Sequence, residues 1–538
     1  MTSGPDRESV PSGGGGPFPP ASGAVLLAAG LGGFAGMSVE LAAVRLLAPH
    51  FGSSVFVWTN VIGVVLAALA AGIFLGGRLA DRRDPRSLLR ATLAAAGVLC
   101  LLAPFLAKPL ADFLVPPEAG LRLGDALPVF AAGSLAVSVV VFAPPLFFLG
   151  ALSPAAVRAL AARGAGVGAA AGSVLAVSTL GSLLGTFGTT HLLVPLAGVR
   201  NTFFVSSALL LLAVLALTPR AKGPLAALLA LPAIAAAASG GGAPREVPAG
   251  EERLWAGETP YQFAEVVRRG EIRMLRVNEG LDSFQSLLVD GTPWTGAYYD
   301  FFALAPLLAG IEERGALRAL VLGLGGGTVS RLFHDVHGAR YALSIDGVEL
   351  DPGLLRAARS FFDLTPARHP HLRVHAGVDG RVALRALPGP FEVVVLDAYA
   401  HQVHIPPHLA SVEAFEAVRD RLAPGGVLAV NVGGFGFEDP VVSAIGGTIA
   451  AVFRTVEGVK VRDSRNVLIF ARREGPLDWE RARESASDPG LRALAGYAAC
   501  PPVRHSFPPA GEGERLSDSD SRLDLLQIRS LWRAGLRS

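Results

Sequence analysis

Four apolar, strand-like runs in this sequence each end on glycines or a carboxylate, residue types with which a protein cradles a small polar molecule and moves a proton. The first is RALVLGLGGGTVSRLF: an apolar run over Leu320–Leu324, a cluster of Gly323, Gly325, Gly326 and Gly327, then a helical pattern with Thr328 or Ser330 as N-cap. Glycines let a backbone approach a ligand closely, and a helix N-terminus offers it free N–H groups. A second run, over 344–350, ends in VELDP. It sets Glu349 about 20 residues beyond Gly327, where an acidic side chain accepts from both hydroxyls of a ribose. The third, Leu372–Ala376, leads into GVDGR, and Asp379 there is suited to accept from an adenine amino group. The fourth, FEVVVLDAYA, delivers Asp397 at its C-terminal edge, and after a helical segment over 412–422 the turn APGG opens a fifth run, GVLAVNV. Runs alternating with helices predict an open α/β sheet, whose ligands bind outside the strand ends.

Around these runs lie supporting elements. Gln262–Arg268, Ile272–Val277 and Ser286–Val289 are short, β-leaning and separated by turn residues at Gly270 and Asn278–Gly280, which predicts a small antiparallel lead-in sheet. A helix is expected over Tyr298–Glu313. The loop AYAHQVHIPPHLA carries His401, His404 and His408, any of which would serve as a base near neutral pH. Their spacing suits a metal only on a helix, which Pro406 and Pro407 oppose, so no metal is expected. Tyr399 either walls a pocket or packs, and Asp518 and Asp520 read as solvated.

Composition separates this half from the one before it. Of 538 residues, 51% are hydrophobic and 17% charged, with a mean hydropathy of +0.46, against roughly 25% charged in a soluble domain. Most of the charge falls after residue 244. The net charge of +2 and the lack of a basic stripe argue against nucleic acid as a partner, and Cys100 and Cys500 alone make neither a disulfide framework nor a zinc site. Residues 1–21, rich in Gly, Pro and Ser, read as a disordered tail. Six apolar spans follow, near 23–45, 55–77, 88–107, 128–150, 170–195 and 201–218, each close to the ~20 residues that cross a bilayer. A seventh run, Leu225–Ala238, is short and interrupted by Pro232, so it is expected to stay interfacial. Arg78, Arg82, Arg83, Arg86 and Arg90, then Arg158 and Arg163, then Arg220 and Lys222, mark one set of connections as cytoplasmic. Six crossings would leave the soluble half on that side of a cell membrane; a seventh would move it outside. Glu40 and Arg45 in the first span, and His191 in the fifth, are ionisable at membrane depth and so are either functional or structurally paired.

The succession GLGGGT, VELDP, GVDGR, VVVLDAY and LAPGGVLAVN resembles the class I S-adenosylmethionine-dependent methyltransferase fold, and more narrowly the spermidine synthases, or polyamine aminopropyltransferases. NEGLDS and YYDFFALAPLL are similar to the same family. ELAAVRLLAPHFGSSVFVWTNV and GGRLADR look like the N-terminal part of membrane-fused spermidine synthase-like proteins. The resemblance implies an α-helical multi-pass membrane domain followed by a Rossmann-like α/β methyltransferase domain with its β lead-in. It implies decarboxylated S-adenosylmethionine, or S-adenosylmethionine itself, as co-substrate. Gly325 and Gly327 would line its methionine-derived part, Glu349 hold the ribose and Asp379 the adenine, while Asp397 accepts the proton of an attacking amine. Tyr298 or Tyr299 would contact the substrate, with Tyr399 and His401 nearby.

Two departures bear on the chemistry. Where the family has an aspartate after the three glycines and another three residues beyond the proton acceptor, this chain has Thr328 and Ala400. Both remove negative charge that would attract ammonium groups, which favours methyl transfer or an atypical acceptor as the rival to aminopropyl transfer. A polyamine transporter or sensor whose soluble half only binds is the rival from another class; it has no need of Asp397 as a base. The expected organisation is a tail over 1–21, a transmembrane domain over 22–240, the β lead-in over 250–290, a catalytic domain over 291–475 and a C-terminal extension over 476–538. A small-molecule amine, the lipid bilayer and a second copy of the chain, as a homodimer, are the partners to look for.

Overall fold

The computed structural model describes residues 20–52, 55–115, 123–218, 222–238, 246–278, 284–399, 405–512, 514–519 and 522–535. Six helices are long and apolar enough to cross a membrane: Ser22–Phe51, Phe56–Arg82, Pro85–Leu114, Val129–Ala161, Val167–Ala197 and Val199–Ala216. Between apolar helices in lipid the hydrophobic effect gives no preference, so close packing must supply the association, and small residues allow it. The first and fifth spans cross at such a place. A side chain on Gly181 would collide with the Gly30 carbonyl, and one on Gly185 with the Phe34 carbonyl. Ser38 and Thr189 hydrogen-bond across the same seam at 2.7 Å. His191 stacks on Phe187 and is exposed on the bundle surface, a packing role. Arg45 does not turn to Glu40. It leaves the bundle and donates to the backbone carbonyls of Thr259 and Pro260.

The seventh apolar run is a helix, Lys222–Ala238, lying against the sixth span. Its far end reaches Arg45 and His50, for Ala236 joins them, with Lys108, Arg200 and Glu258, in lining a cavity of about 270 Å³. Lys108 Nζ also stands 3.9 Å from Glu246 Oε1, just beyond the helix. The Arg-rich connections gather at the other end of the bundle, where Arg158 meets Asp81 at 3.8 Å. The C-terminal half therefore meets the bundle at the end opposite those arginines. Pro232 is accommodated inside the helix, as neighbouring membrane helices allow.

The soluble half holds twelve strands in two sheets among the described residues. β1 (Glu252–Glu258), β2 (Phe263–Arg269), β3 (Ile272–Val277) and β4 (Ser286–Val289) form an antiparallel meander. The larger sheet is built from β5 (Ala316–Leu322), β6 (Ala342–Glu349), β7 (Leu372–Ala376), β8 (Phe391–Leu396), β9 (Leu422–Gly433), β10 (Thr455–Lys460), β11 (Asn466–Arg472) and β12 (Arg504–Ser506). Its order is β12-β10-β11-β9-β8-β5-β6-β7, with β5 to β9 parallel and β11 antiparallel to both its neighbours. This is an α/β methyltransferase-type sheet. Both faces are covered, which is why the strands read as continuous apolar runs. Leu317, Ala319 and Val321 enter one core, while Leu320 and Leu322 enter the other. β12 comes from beyond residue 475, so the C-terminal stretch is integral to this sheet rather than appended to it. The helix expected over Tyr298–Glu313 is instead a 3₁₀ turn (Tyr298–Ala303), a short α-helix (Leu304–Leu308) and a second 3₁₀ turn (Ile311–Glu313). Gly310, in the left-handed region at φ 72°, interrupts it.

Replacing Gly181 by leucine should push the first and fifth spans apart, at an overpacking cost of about 1–3 kcal/mol. The fraction of detergent-solubilised protein that stays monodisperse after heating should fall relative to wild type; an unchanged melting profile would refute the close crossing.

Candidate active site

The chain runs outward from β5 through β6 to β7, then returns to β8 on the other side of β5, and this reversal opens a crevice at the C-terminal strand ends. The two central strand ends are drawn together there. The Asp397 N–H donates to the Leu322 carbonyl at 2.9 Å. Gly323 stands at φ 91°, and a side chain on it would collide with the Asp397 carbonyl; only glycine meets both demands. The half-buried Asp397 carboxylate accepts from Asn431 Nδ2 at 2.9 Å and from the Tyr298 hydroxyl at 3.1 and 3.3 Å. Behind it the network continues: Asn466 Nδ2 donates to Asn431 Oδ1 at 2.8 Å, and Ser464 Oγ to Asn466 Oδ1 at 2.7 Å. Burial pushes the Asp397 carboxyl up to about 6, against the downward pull of its Asn431 and Tyr298 hydrogen bonds. Burial, then the Asp397 charge, raises the Tyr298 phenol well above its ordinary value, so it remains a donor.

The two adjacent tyrosines differ in role. Tyr298 reaches Asp397, whereas Tyr299 stacks on it at 4.1 Å between ring centroids and donates to the Phe284 carbonyl at 3.3 Å. Tyr399 stands between the ends of β8 and β9, its hydroxyl donating to the Asn431 carbonyl and accepting from Gly433 N–H, both at 2.9 Å. His401, His404 and Ala400 lie outside the described residues. His408 points instead to Asp379, Nε2 to Oδ2 at 3.0 Å.

On the other side of the crevice, Glu349 is 8% exposed and ties the glycine loop to β6. Gly325 N–H donates to its Oε2 at 2.8 Å and Asp351 N–H to its Oε1 at 2.9 Å. Burial lifts this carboxyl to about 7 despite those donors. Each oxygen keeps a lone pair for a further donor. Asp379 caps the helix Gly380–Ala386, accepting from Arg381 N–H at 2.8 Å. Thr328 and Ser330 are not the caps of the helix Thr328–His337, since Gly327 occupies that position. Thr328 turns inward: its hydroxyl donates to the Leu287 carbonyl at 2.9 Å and accepts from Leu287 N–H at 3.1 Å, while Gly326 N–H donates to Ser286 Oγ at 2.6 Å. These contacts seat β4 of the lead-in sheet on the glycine loop.

Sequence reasoning passed over Asn431, Asn466 and Ser464. A signal existed for the first, a polar side chain near the end of the apolar run GVLAVNV. The structure brings Gly325, Gly327, Glu349, Asp379, Asp397, Tyr298 and Tyr399 to one edge of the sheet and leaves the hydroxyls of Thr328 and Tyr299 inside the fold.

No family model matches the chain. It is 32% identical over 236 residues to a probable polyamine aminopropyl transferase of Bifidobacterium longum (strain NCC 2705), a stretch amounting to 43% of this chain and 50% of that protein. The chain thus spans about half the length of the curated relative it matches. Among solved structures, a probable spermidine synthase from Corynebacterium glutamicum aligns with 48% of this chain and 96% of its own, at 21% identity and a TM-score of 0.36. The spermidine synthase from Thermotoga maritima aligns with 46% of this chain and 85% of its own, at 15% identity and a TM-score of 0.37. Over somewhat less than half its length the chain is thus similar to a probable polyamine aminopropyl transferase, and it carries six long apolar helices ahead of an α/β sheet domain.

Proposed function

We propose that this chain is a membrane-anchored transferase of the spermidine synthase type, moving an aminopropyl group from decarboxylated S-adenosylmethionine to a small-molecule amine, with Asp397 as proton acceptor. The observation that carries the reading is the Asp397 carboxylate at the sheet's switch point, aimed by Tyr298 and Asn431. As the amine nitrogen bonds to the carbon beside the sulfonium, the carbon–sulfur bond breaks, methylthioadenosine leaves, and the nitrogen's proton passes to Asp397. A carboxyl near 6 is ionised at neutral pH yet basic enough to take that proton, and its charge attracts the ammonium form of the acceptor. The nucleoside fits the other end of the crevice: the free lone pairs of Glu349 suit ribose hydroxyls, and Asp379 with His408 beside it suits the adenine. Gly325 and Gly327 would flank the methionine-derived chain. Most of the work is positioning and charge placement.

A second reading keeps the site and changes the group. Thr328 presents no charge to the crevice, because its hydroxyl is spent on Leu287, and Ala400 adds none. S-adenosylmethionine, whose carboxylate an aspartate would repel, meets no such obstacle at Thr328, and the enzyme would then be a methyltransferase.

We place the soluble half outside the cytoplasm. The Arg-rich connections mark the cytoplasmic end of the bundle, and Thr259, Glu246 and Glu258 all meet the bundle at its other end.

Incubated with decarboxylated S-adenosylmethionine and a panel of amines, the protein should release methylthioadenosine; S-adenosylhomocysteine from S-adenosylmethionine would establish the methyltransferase reading instead, and neither product would overturn both. Asp397→Asn should lower kcat by about 10²- to 10⁴-fold with nucleoside affinity within a few-fold of wild type, and full activity would refute the assignment. Because the base works ionised and its carboxyl lies near 6, kcat/KM should fall about tenfold per pH unit below that value and level off above it; a flat profile from pH 5 to 8 would exclude Asp397 as the base. Cys500 is exposed and Cys100 buried, so a membrane-impermeant maleimide should label Cys500 in intact cells. Labelling only after permeabilisation would return the soluble half to the cytoplasm.

A further inference from the structure

One line of hydrogen bonds joins the first membrane span to the ribose end of the crevice. Arg45 Nη1 donates to the Thr259 carbonyl at 3.1 Å and Nη2 to the Pro260 carbonyl, so the guanidinium clasps the turn between β1 and β2 with both arms. The Thr259 hydroxyl then donates to Asp351 Oδ2 at 2.7 Å while accepting from Gln262 N–H at 2.9 Å. Asp351 Oδ1 caps the helix Pro352–Phe361 through Gly353 N–H at 2.8 Å, and its own N–H donates to Glu349 Oε1 at 2.9 Å. Thr259 and Asp351 are each 2% exposed, so water offers no substitute for a lost partner. Packing leaves little slack as well, since a side chain on Gly353 would press within 2.5 Å of Thr259 Cγ2.

We infer that Arg45, within the first membrane span, is a positioning residue for the ribose of the nucleoside co-substrate, acting through Thr259 and Asp351 on Glu349. Each link is directional. A charged, two-armed donor fixes the height and tilt of the Thr259–Pro260 turn, the turn aims the threonine hydroxyl, and the hydroxyl holds the Asp351 carboxylate whose backbone N–H grips one oxygen of Glu349. The other oxygen is held by Gly325 of the glycine loop. The bundle thereby braces Glu349 at second hand, through the Thr259–Pro260 turn and Asp351. The inference rests on the reading of Glu349 as the ribose acceptor.

The test is a double-mutant cycle on the full chain in lipid nanodiscs, reading the Kd of methylthioadenosine by calorimetry. Arg45→Ala and Thr259→Val should each weaken binding about fivefold or more, and the double variant should bind no more weakly than the worse single, because both cut one line. Arg45→Lys, which reaches one carbonyl rather than two, should fall between wild type and Arg45→Ala. In turnover, KM for the nucleoside should rise while kcat and KM for the amine hold. Thr259→Val leaves the membrane contact in place, so it decides the matter even where Arg45→Ala fails to fold. Unchanged affinity in folded Thr259→Val, or fully additive effects, would overturn the inference alone. A wild type that does not bind methylthioadenosine would overturn the nucleoside reading, and this inference with it.

Discussion

The hydrogen bond from Asp397 N–H to the Leu322 carbonyl is the constraint around which the crevice is arranged. It holds the end of β8 against the end of β5 at the one place where a doubly wound sheet leaves its strand ends uncovered. Everything nearby must yield to that approach. Gly323 can carry no side chain, the glycine loop must turn away toward β6, and the carboxylate of Asp397 is left pointing into the gap between the two directions of winding. Asp397 and the glycine loop are thus fixed relative to each other through backbone.

Two polar networks then hold the crevice from opposite sides. On the β9 and β11 side, Asn431, Asn466 and Ser464 brace Asp397 from behind. On the β6 side, Asp351 and Gly325 grip the two oxygens of Glu349. A buried network of this kind is costly when incomplete and rigid when satisfied. Both carboxyls are pushed upward by burial, to about 6 and about 7, which shows that the surrounding donors offset only part of the desolvation.

The sheet was legible because strands buried on both faces read as unbroken apolar runs, and Glu349, Asp379 and Asp397 could be singled out as the polar residues that end such runs. Other features depend on contacts between residues far apart in the sequence. Asn431 looks like an interruption of a strand until β8 lies beside it. Thr328 reads as a cap, but β4 captures its hydroxyl from some forty residues upstream. Arg45 looked like a partner for Glu40, five residues earlier on the same helix, yet finds two carbonyls more than two hundred residues away. The seventh apolar run is short and holds a proline, and only its packing against the sixth span, a contact between helices, brings its far end to Arg45 and His50.

That helix, Lys222–Ala238, has 17 residues, about 25 Å at 1.5 Å per residue, and the hydrocarbon of an ordinary bilayer is about 30 Å thick. The mismatch has a mechanical consequence. In the placement proposed above, which has this helix cross, the bilayer would have to thin locally or the helix draw its flanks inward, and the lead-in sheet is the next element in the chain. That placement would hold the α/β half down on the headgroup layer instead of standing it off on a tether, and would make bilayer thickness a variable that presses on the Arg45–Thr259 contact.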